Sequence, residues 1–300
     1  MQIPKGGIAF FDSGIGGLTV LAECEKRLPT QLFYYYGDNR HAPYGNLPVR
    51  KIRKYVLRAF KKFHRLRVSA AVIACNTATA ACAEELRAKY SFPIIGAEPA
   101  VIPAAARGGK VLVLATKATC ESQRLMELCQ RAKQLFPTAE ISIHACEHLA
   151  GVIERNVHKV GYDFTPYLPN TFADAVVLGC THYIYIVAQI ERHFGCPVYD
   201  GNEGIARRLV GFFNADSLSD ENRDKQPLIG KSDPKMGFLT TDKHKRGYCQ
   251  KITNKRSQKI EQKASKKRKM GGVIFLGNTR DYNQKTHEQM FVLLKRVRGG

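Results

Sequence analysis

Two cysteines sit in matching local contexts. Residues 71–80 read AVIACNTATA and residues 174–182 read DAVVLGCTH. In each, a short apolar run feeds a Cys, and small polar residues follow: Asn76, Thr77 and Thr79 after Cys75, Thr181 and His182 after Cys180. The two units lie 105 positions apart (180 − 75). An apolar run followed by N-capping residue types predicts a strand–turn–helix. Each thiol is therefore expected beyond the C-terminal end of a strand, where open parallel sheets hold their ligands. Helix N-termini offer free N–H groups and partial positive charge, which favour a thiolate or a bound carboxylate. A buried Cys is ordinarily a small core residue; the repetition of the whole unit is what argues for chemistry.

Two thiols on opposite faces of one small substrate can invert a stereocentre. One takes a proton from carbon while the other delivers one from the far side, which is acid–base catalysis by two exchangeable groups. A free thiol titrates near a pKa of about 8.5, so neighbours must tune it for both roles. Asp12, Glu154 and His182 can each hold or shuttle a proton for an adjacent thiol. Ser13, Asn76, Thr77, Thr119 and Thr181 fall at strand ends and can bind a carboxylate without a metal. The Gly14-Ile15-Gly16-Gly17 turn lacks the spacing of a dinucleotide loop and no P-loop Lys follows it. No cofactor and no metal are expected. A Cys180–His182 hydrolase is a weaker reading, since two positions of separation say nothing of nucleophile–base geometry and the second cysteine goes unexplained.

The elements that must position these groups follow from the apolar pattern. Strands are predicted at 7–11, 33–36, 71–74, 93–96, 111–115, 141–146, 174–179, 197–199 and 273–276, with a short one at 236–239. Helices are predicted from Leu18 to Leu28, at 50–67, from Ala78 to Leu86, after the 111–115 strand with Ser122 or Thr119 as its cap, directly after Cys180, at 201–213 and at 286–297, with a short turn at 149–154. An irregular loop, Asn39 to Leu47, lies between the second strand and the helix at 50–67. Strands alternating with helices, without hairpin signals, predict parallel α/β units. Two such sheets facing one another would bring Cys75 and Cys180 to one crevice.

Composition sets the outer bounds. The 300 residues are 44% hydrophobic, enough for a sizeable core. No apolar run approaches a membrane span of about 18 residues, and the first residues lack the form of a signal peptide. A cytoplasmic protein is expected, and no membrane partner. The nine cysteines form no C-x-x-C pair, which suits a reducing compartment. Net charge is +21, unevenly spread. Residues 242–270 carry twelve Lys or Arg against Asp242 and Glu261, and the helix at 50–67 carries nine with no acid. Solvated surface is the simpler reading of both; a nucleic-acid partner would act through the basic segment.

The motifs D-S-G-x-G-G at Asp12–Gly17, Y-G-D at Tyr36–Asp38, P-Y-G at Pro43–Gly45, A-C-N-T at Ala74–Thr77 and G-C-T-H at Gly179–His182 together resemble the glutamate racemases of the aspartate/glutamate racemase superfamily. The resemblance spans about residues 7–213 in order. It implies an α/β fold of two pseudo-symmetric domains, each with a mostly parallel sheet flanked by helices, and an active site in the cleft between them. Residues 1–97 with about 208–300 would form the first, discontinuous domain, and 98–207 the second. It implies cofactor-free interconversion of L- and D-glutamate, supplying D-glutamate for peptidoglycan, by a homodimer. Carried over by motif, Cys75 and Cys180 are the acid–base pair. Asp12 would assist Cys75, and Glu154 with His182 would assist Cys180. Asp12, Ser13, Tyr44, Gly45, Asn76, Thr77, Thr119, Thr181 and His182 match substrate contacts. A sister reading keeps the chemistry with aspartate or another amino acid. Another places a basic nucleic-acid-associated protein on this fold. Ile184 stands where the family usually has Pro and should change only the helix entry, and the basic stretch at 242–270 has no counterpart in the resemblance.

Overall fold

The computed structural model describes residues 6–215, 272–276, 292–295 and 297. The strand expected at 236–239 and the basic stretch at 242–270 lie outside them. In chain order the elements are β1 (Ile8–Asp12), α1 (Gly17–Arg27), β2 (Phe33–Gly37), α2 (Val49–Arg65), β3 (Ala70–Ile73), α3 (Asn76–Lys89), β4 (Ile94–Gly96), α4 (Val101–Ala105), β5 (Gly109–Ala115), α5 (Lys117–Cys120), α6 (Gln123–Leu135), β6 (Ala139–Ala145), α7 (Leu149–Asn156), β7 (Ala175–Gly179), α8 (Val187–Phe194), β8 (Val198–Tyr199), α9 (Asn202–Ala215) and β9 (Val273–Leu276). Residues 292–295 and 297, inside the helix expected at 286–297, are helical.

The strands form two sheets, β4-β3-β1-β2-β9 and β6-β5-β7-β8, and every pairing is parallel. β1 and β3 are buried along their whole length, and β1 as far as Phe11 and all of β3 are continuous apolar runs because helices cover both faces of a parallel sheet. Alternate residues of β1 serve the two faces. Phe11 packs with Tyr36, Ile52, Phe60 and Leu86 under α2 and α3. Ile8 and Phe10 join a core that also contains Leu112, Leu114, Val176 and Leu178 of the second sheet. The two sheets thus share one apolar core, through which they face each other.

Parallel register then fixes where the functional side chains emerge. Phe11 lies beside Ile73 and Asp12 beside Gly37, so Asp12, Asp38 and Cys75 leave the same edge of the first sheet. Ala115 lies beside both Ala145 and Gly179, so Thr116, Cys146 and Cys180 leave one edge of the second.

One local expectation is corrected, and one short helix had no counterpart in the apolar pattern. The chain does not enter an α-helix directly after Cys180: Thr181–Ile186 is a 3₁₀ helix, and α8 starts only at Val187. This tighter turn buries His182 and Tyr183 side by side and carries Ile184 at its centre. The five-residue α4 was not expected, because it is too short to show a helical period and contains Pro103. No described helix is long and apolar enough to cross a membrane.

Candidate active site

Cys75 is the N-cap residue of α3, in extended backbone conformation, and its Sγ accepts a hydrogen bond from the Ala78 N–H at 3.5 Å. Burial pushes the Cys75 thiol up to about 12, and the Asp12 charge adds to this; hydrogen bonds from Ala78 and Ser13 pull the other way. Cys180 is among the charges that act on it, so the two thiols are electrostatic neighbours across the cleft. At neutral pH this Cys75 is a thiol, a proton donor as it stands.

Asp12, fully buried, accepts from the Gly14 N–H at 2.9 Å and from the Thr181 hydroxyl at 3.1 Å. The second bond joins the end of β1 to the segment after β7. Burial raises the Asp12 carboxyl above its ordinary value; His182, Gly14 and Thr181 oppose the rise. A carboxylate so placed takes up a proton more readily than an exposed one.

His182 links Cys180 to a carboxylate. Its Nδ1 lies 3.8 Å from the Cys180 Sγ, and its Nε2 is hydrogen-bonded to Glu154 Oε2. Burial by itself would lower the imidazole pKa. The Glu154 charge and the hydrogen bonds to Cys180 and Glu154 outweigh it and hold His182 well above 6.5. An imidazolium has N–H groups on both nitrogens, so one points at Glu154 and the other at the Cys180 sulfur.

Glu154 is itself held from the opposite sheet. It accepts from the Ile15 N–H at 3.3 Å and from Asn39 Nδ2 at 3.1 Å. Asn39, at the start of the loop after β2, was visible in the sequence only as a polar loop residue; nothing local relates it to a carboxylate 115 positions away. The Gly14–Gly17 turn is fixed from both sides, by Tyr35 Oη on the Gly14 carbonyl and Tyr185 Oη on the Ile15 carbonyl, each at 2.8 Å.

The hydroxyls meet across the cleft. Thr77 Oγ1 is 2.9 Å from Thr116 Oγ1 and 3.0 Å from Thr119 Oγ1, and the latter two are 3.0 Å apart. Thr116, first after β5, occupies the position in its strand end that Cys180 occupies after β7. Gly45 packs on Thr116, where an added Cβ would come within 2.6 Å of the Thr116 Cβ. The Tyr44 hydroxyl donates to Asp38 Oδ2 at 2.6 Å, so it is anchored to a carboxylate. Ser122 caps α6 by accepting from the Leu125 N–H at 3.3 Å. Thr79 has a structural post, donating to the Ile73 carbonyl and accepting from the Ala97 N–H, both at 3.1 Å.

Burying polar groups is costly unless they are paired. Among the described residues eleven polar or charged side chains are buried, and only Thr19 and Thr79 lie outside this cleft (11 − 2 = 9). Such concentration marks a site rather than a core. The Asn76 side-chain oxygen is buried here without a hydrogen-bond partner. A cavity of about 700 Å³ between α1 and α8, lined by Glu23, Lys26, Tyr162 and Gln189 among others, contains none of the predicted site residues. Among the described residues no three His, Cys, Asp or Glu side chains are grouped to hold a metal ion.

The comparisons with known proteins agree with this geometry. A family model described as Asp/Glu/Hydantoin racemase matches residues 23–209. A glutamate racemase from Clostridium acetobutylicum is 37% identical over 222 residues, which cover 70% of this chain and 84% of that protein. The crystal structure of a glutamate racemase isoform from Bacillus anthracis superposes with a TM-score of 0.61 at 29% identity, covering 71% of this chain and 83% of that one. That of the Escherichia coli glutamate racemase, solved with L-glutamate and the activator UDP-MurNAc-Ala, gives 0.61 at 30% identity, covering 70% and 83%. With both sheets, the cleft and these similarities in agreement, the chain belongs to the Asp/Glu/hydantoin racemase family of isomerases.

Proposed function

We propose that this chain is a glutamate racemase that inverts the α-carbon with two cysteines and no cofactor. The observation that carries the reading is the Glu154–His182–Cys180 relay facing Cys75 and Asp12 across one polar cleft. In the L-to-D direction the Cys180 thiolate removes the α-proton, and the electron pair left on carbon is delocalised into the carboxylate. The Cys75 thiol then delivers its own proton to the opposite face, and carbon recovers four bonds with inverted configuration. Cys75 is left as thiolate and Cys180 as thiol; the reverse reaction restores both.

The neighbours suit these parts. Protonated His182 directs an N–H at the Cys180 sulfur when it carries charge. Asp12, with its raised affinity for a proton, can receive the Cys75 proton when that thiol must act as the base. The threonine hydroxyls at 77, 116 and 119 and the α3 N-terminus favour a carboxylate. The unpaired Asn76 oxygen can accept from an ammonium group. Ser13, Tyr44, Gly45 and Thr181 complete the cleft wall. The product, D-glutamate, would serve peptidoglycan synthesis in the cytoplasm.

The test is polarimetric. Protein dialysed against chelator should bring either glutamate enantiomer to a racemate without added cofactor, and should act far more slowly on aspartate. Faster racemisation of aspartate would reassign the substrate, and no racemisation of either would overturn the reading.

A further inference from the structure

The longest described helix, α2, carries a charge on its solvent side that racemisation does not use. Ile52, Val56, Ala59, Phe60 and Phe63 form its buried stripe. At 3.6 residues per turn, Arg50, Lys54, Arg58, Lys61 and Arg65 fall within an arc of about 80°, and at 1.5 Å per residue the ridge runs about 22 Å. All five are exposed, and none has an ion-pair partner among the described residues. Arg53, off the ridge, is taken by Glu85, and Lys62 lies over the Tyr36 ring. Neighbours along the ridge are like-charge pairs at three- and four-residue spacing, a mildly destabilising arrangement for an isolated helix, which an anionic partner would relieve.

A second feature meets the C-terminal end of this ridge. A cavity of about 380 Å³ opens there, lined by His64, Arg67, Ser91, Phe92 and Phe212 among others. Arg67 holds a left-handed φ of 51°, uncommon for a residue with a side chain. Tyr90 stacks on Phe92 at 5.3 Å between ring centroids and meets His64 at 5.6 Å. Phe212 is 48% exposed. Aromatic rings beside cations, in a recess at the end of a cationic track, are the elements of a surface that binds phosphates along a strand and stacks a base.

We propose that α2 and this cavity form a docking surface for single-stranded nucleic acid, with phosphates along the Arg50–Arg65 ridge and a base against Phe92 and Phe212. A lipid surface is the poorer match. Val49 is the one large apolar side chain exposed on α2, and a headgroup makes no use of an aromatic recess. The sequence by itself favoured a plain solvated helix back; the unpaired ridge and the cavity at its end are what alter that reading. The proposal is independent of the racemase assignment.

Fluorescence anisotropy of the full chain with labelled oligo-dT and oligo-U tests it. With about five phosphates neutralised, log K should fall against log salt with a slope of about −3.5, the single-strand value per phosphate being about −0.7. The triple variant Lys54→Gln/Arg58→Gln/Lys61→Gln should bind at least about tenfold more weakly, with the slope reduced by about 2. Phe212→Ala should bind about tenfold more weakly with the slope unchanged. Both variants should racemise glutamate as the parent does, or, if the parent proves inactive, keep its thermal midpoint. Unchanged binding by the triple variant would overturn the proposal. So would binding that vanishes only when the basic residues of 242–270 are neutralised, tighter binding of duplex than of single strand, or uptake by phosphatidylserine vesicles that oligonucleotide cannot displace.

Discussion

Single side chains here have opposite tasks set by their surroundings. Cys75 is pushed up to about 12 by burial and by Asp12, which makes it a donor at rest. His182 is held well above 6.5 because the Glu154 charge and the hydrogen bonds to Glu154 and Cys180 together outweigh the effect of burial. A raised imidazole pKa favours the folded state fully below the unfolded value of about 6.5, and the benefit fades as pH rises through the folded value. Glu154→Gln removes the charge that opposes burial, so His182 should lose its proton at lower pH. The alkaline limb of the pH–kcat/KM profile should then move to lower pH, with a loss of about 10²-fold at pH 8. An unmoved limb would separate His182 from Cys180 chemistry. Because the two enantiomers are equal in energy, kcat/KM must fall equally in both directions.

At the level of elements, the Gly14–Gly17 turn sets how closely the two strand ends approach. An added Cβ on Gly16 would collide with the Thr181 hydroxyl and come within 2.9 Å of the His182 backbone nitrogen. Gly16→Ala should displace Thr181 from Asp12, cost about 1–3 kcal/mol and lower kcat/KM by about tenfold or more; denaturant melts and steady-state assays check both. The sequence shows why this turn exists but not what it faces. β3 with Cys75 and β7 with Cys180 were legible because apolar runs meet capping residues there. The 3₁₀ turn at Thr181–Ile186 was not, since its residues suit an α-helix equally well. Nor was the sheet order, nor the Asn39–Glu154 bond, because contacts between distant segments leave no local pattern. Glu154 itself was named as a proton carrier and given its place beside Cys180 by the family resemblance, and its partners emerged only through the fold.

For the whole molecule, two sheets share one core and close on a polar seam, so stability and activity draw on the same buried groups. Besides Cys75, burial pushes Cys82 and Cys146 up to about 12. Groups whose folded pKa is raised stabilise the fold below their unfolded value and withdraw that support as pH climbs toward the folded one. Stability should therefore fall between about pH 9 and 12, by about 1.4 kcal/mol per pH unit for each such thiol. Thermal midpoints recorded across that range check it, and Cys82→Ala should flatten the decline. The arrangement of one sulfur per sheet also sets the decisive measurement, which is deuterium exchange at the glutamate α-carbon in D₂O by the variants Cys75→Ala and Cys180→Ala. Each should fail to racemise. Cys75→Ala should still exchange the α-hydrogen of L-glutamate but not of D-glutamate, and Cys180→Ala the reverse. Exchange of both enantiomers alike by either variant, or racemisation at the parent rate, would contradict a base on each face.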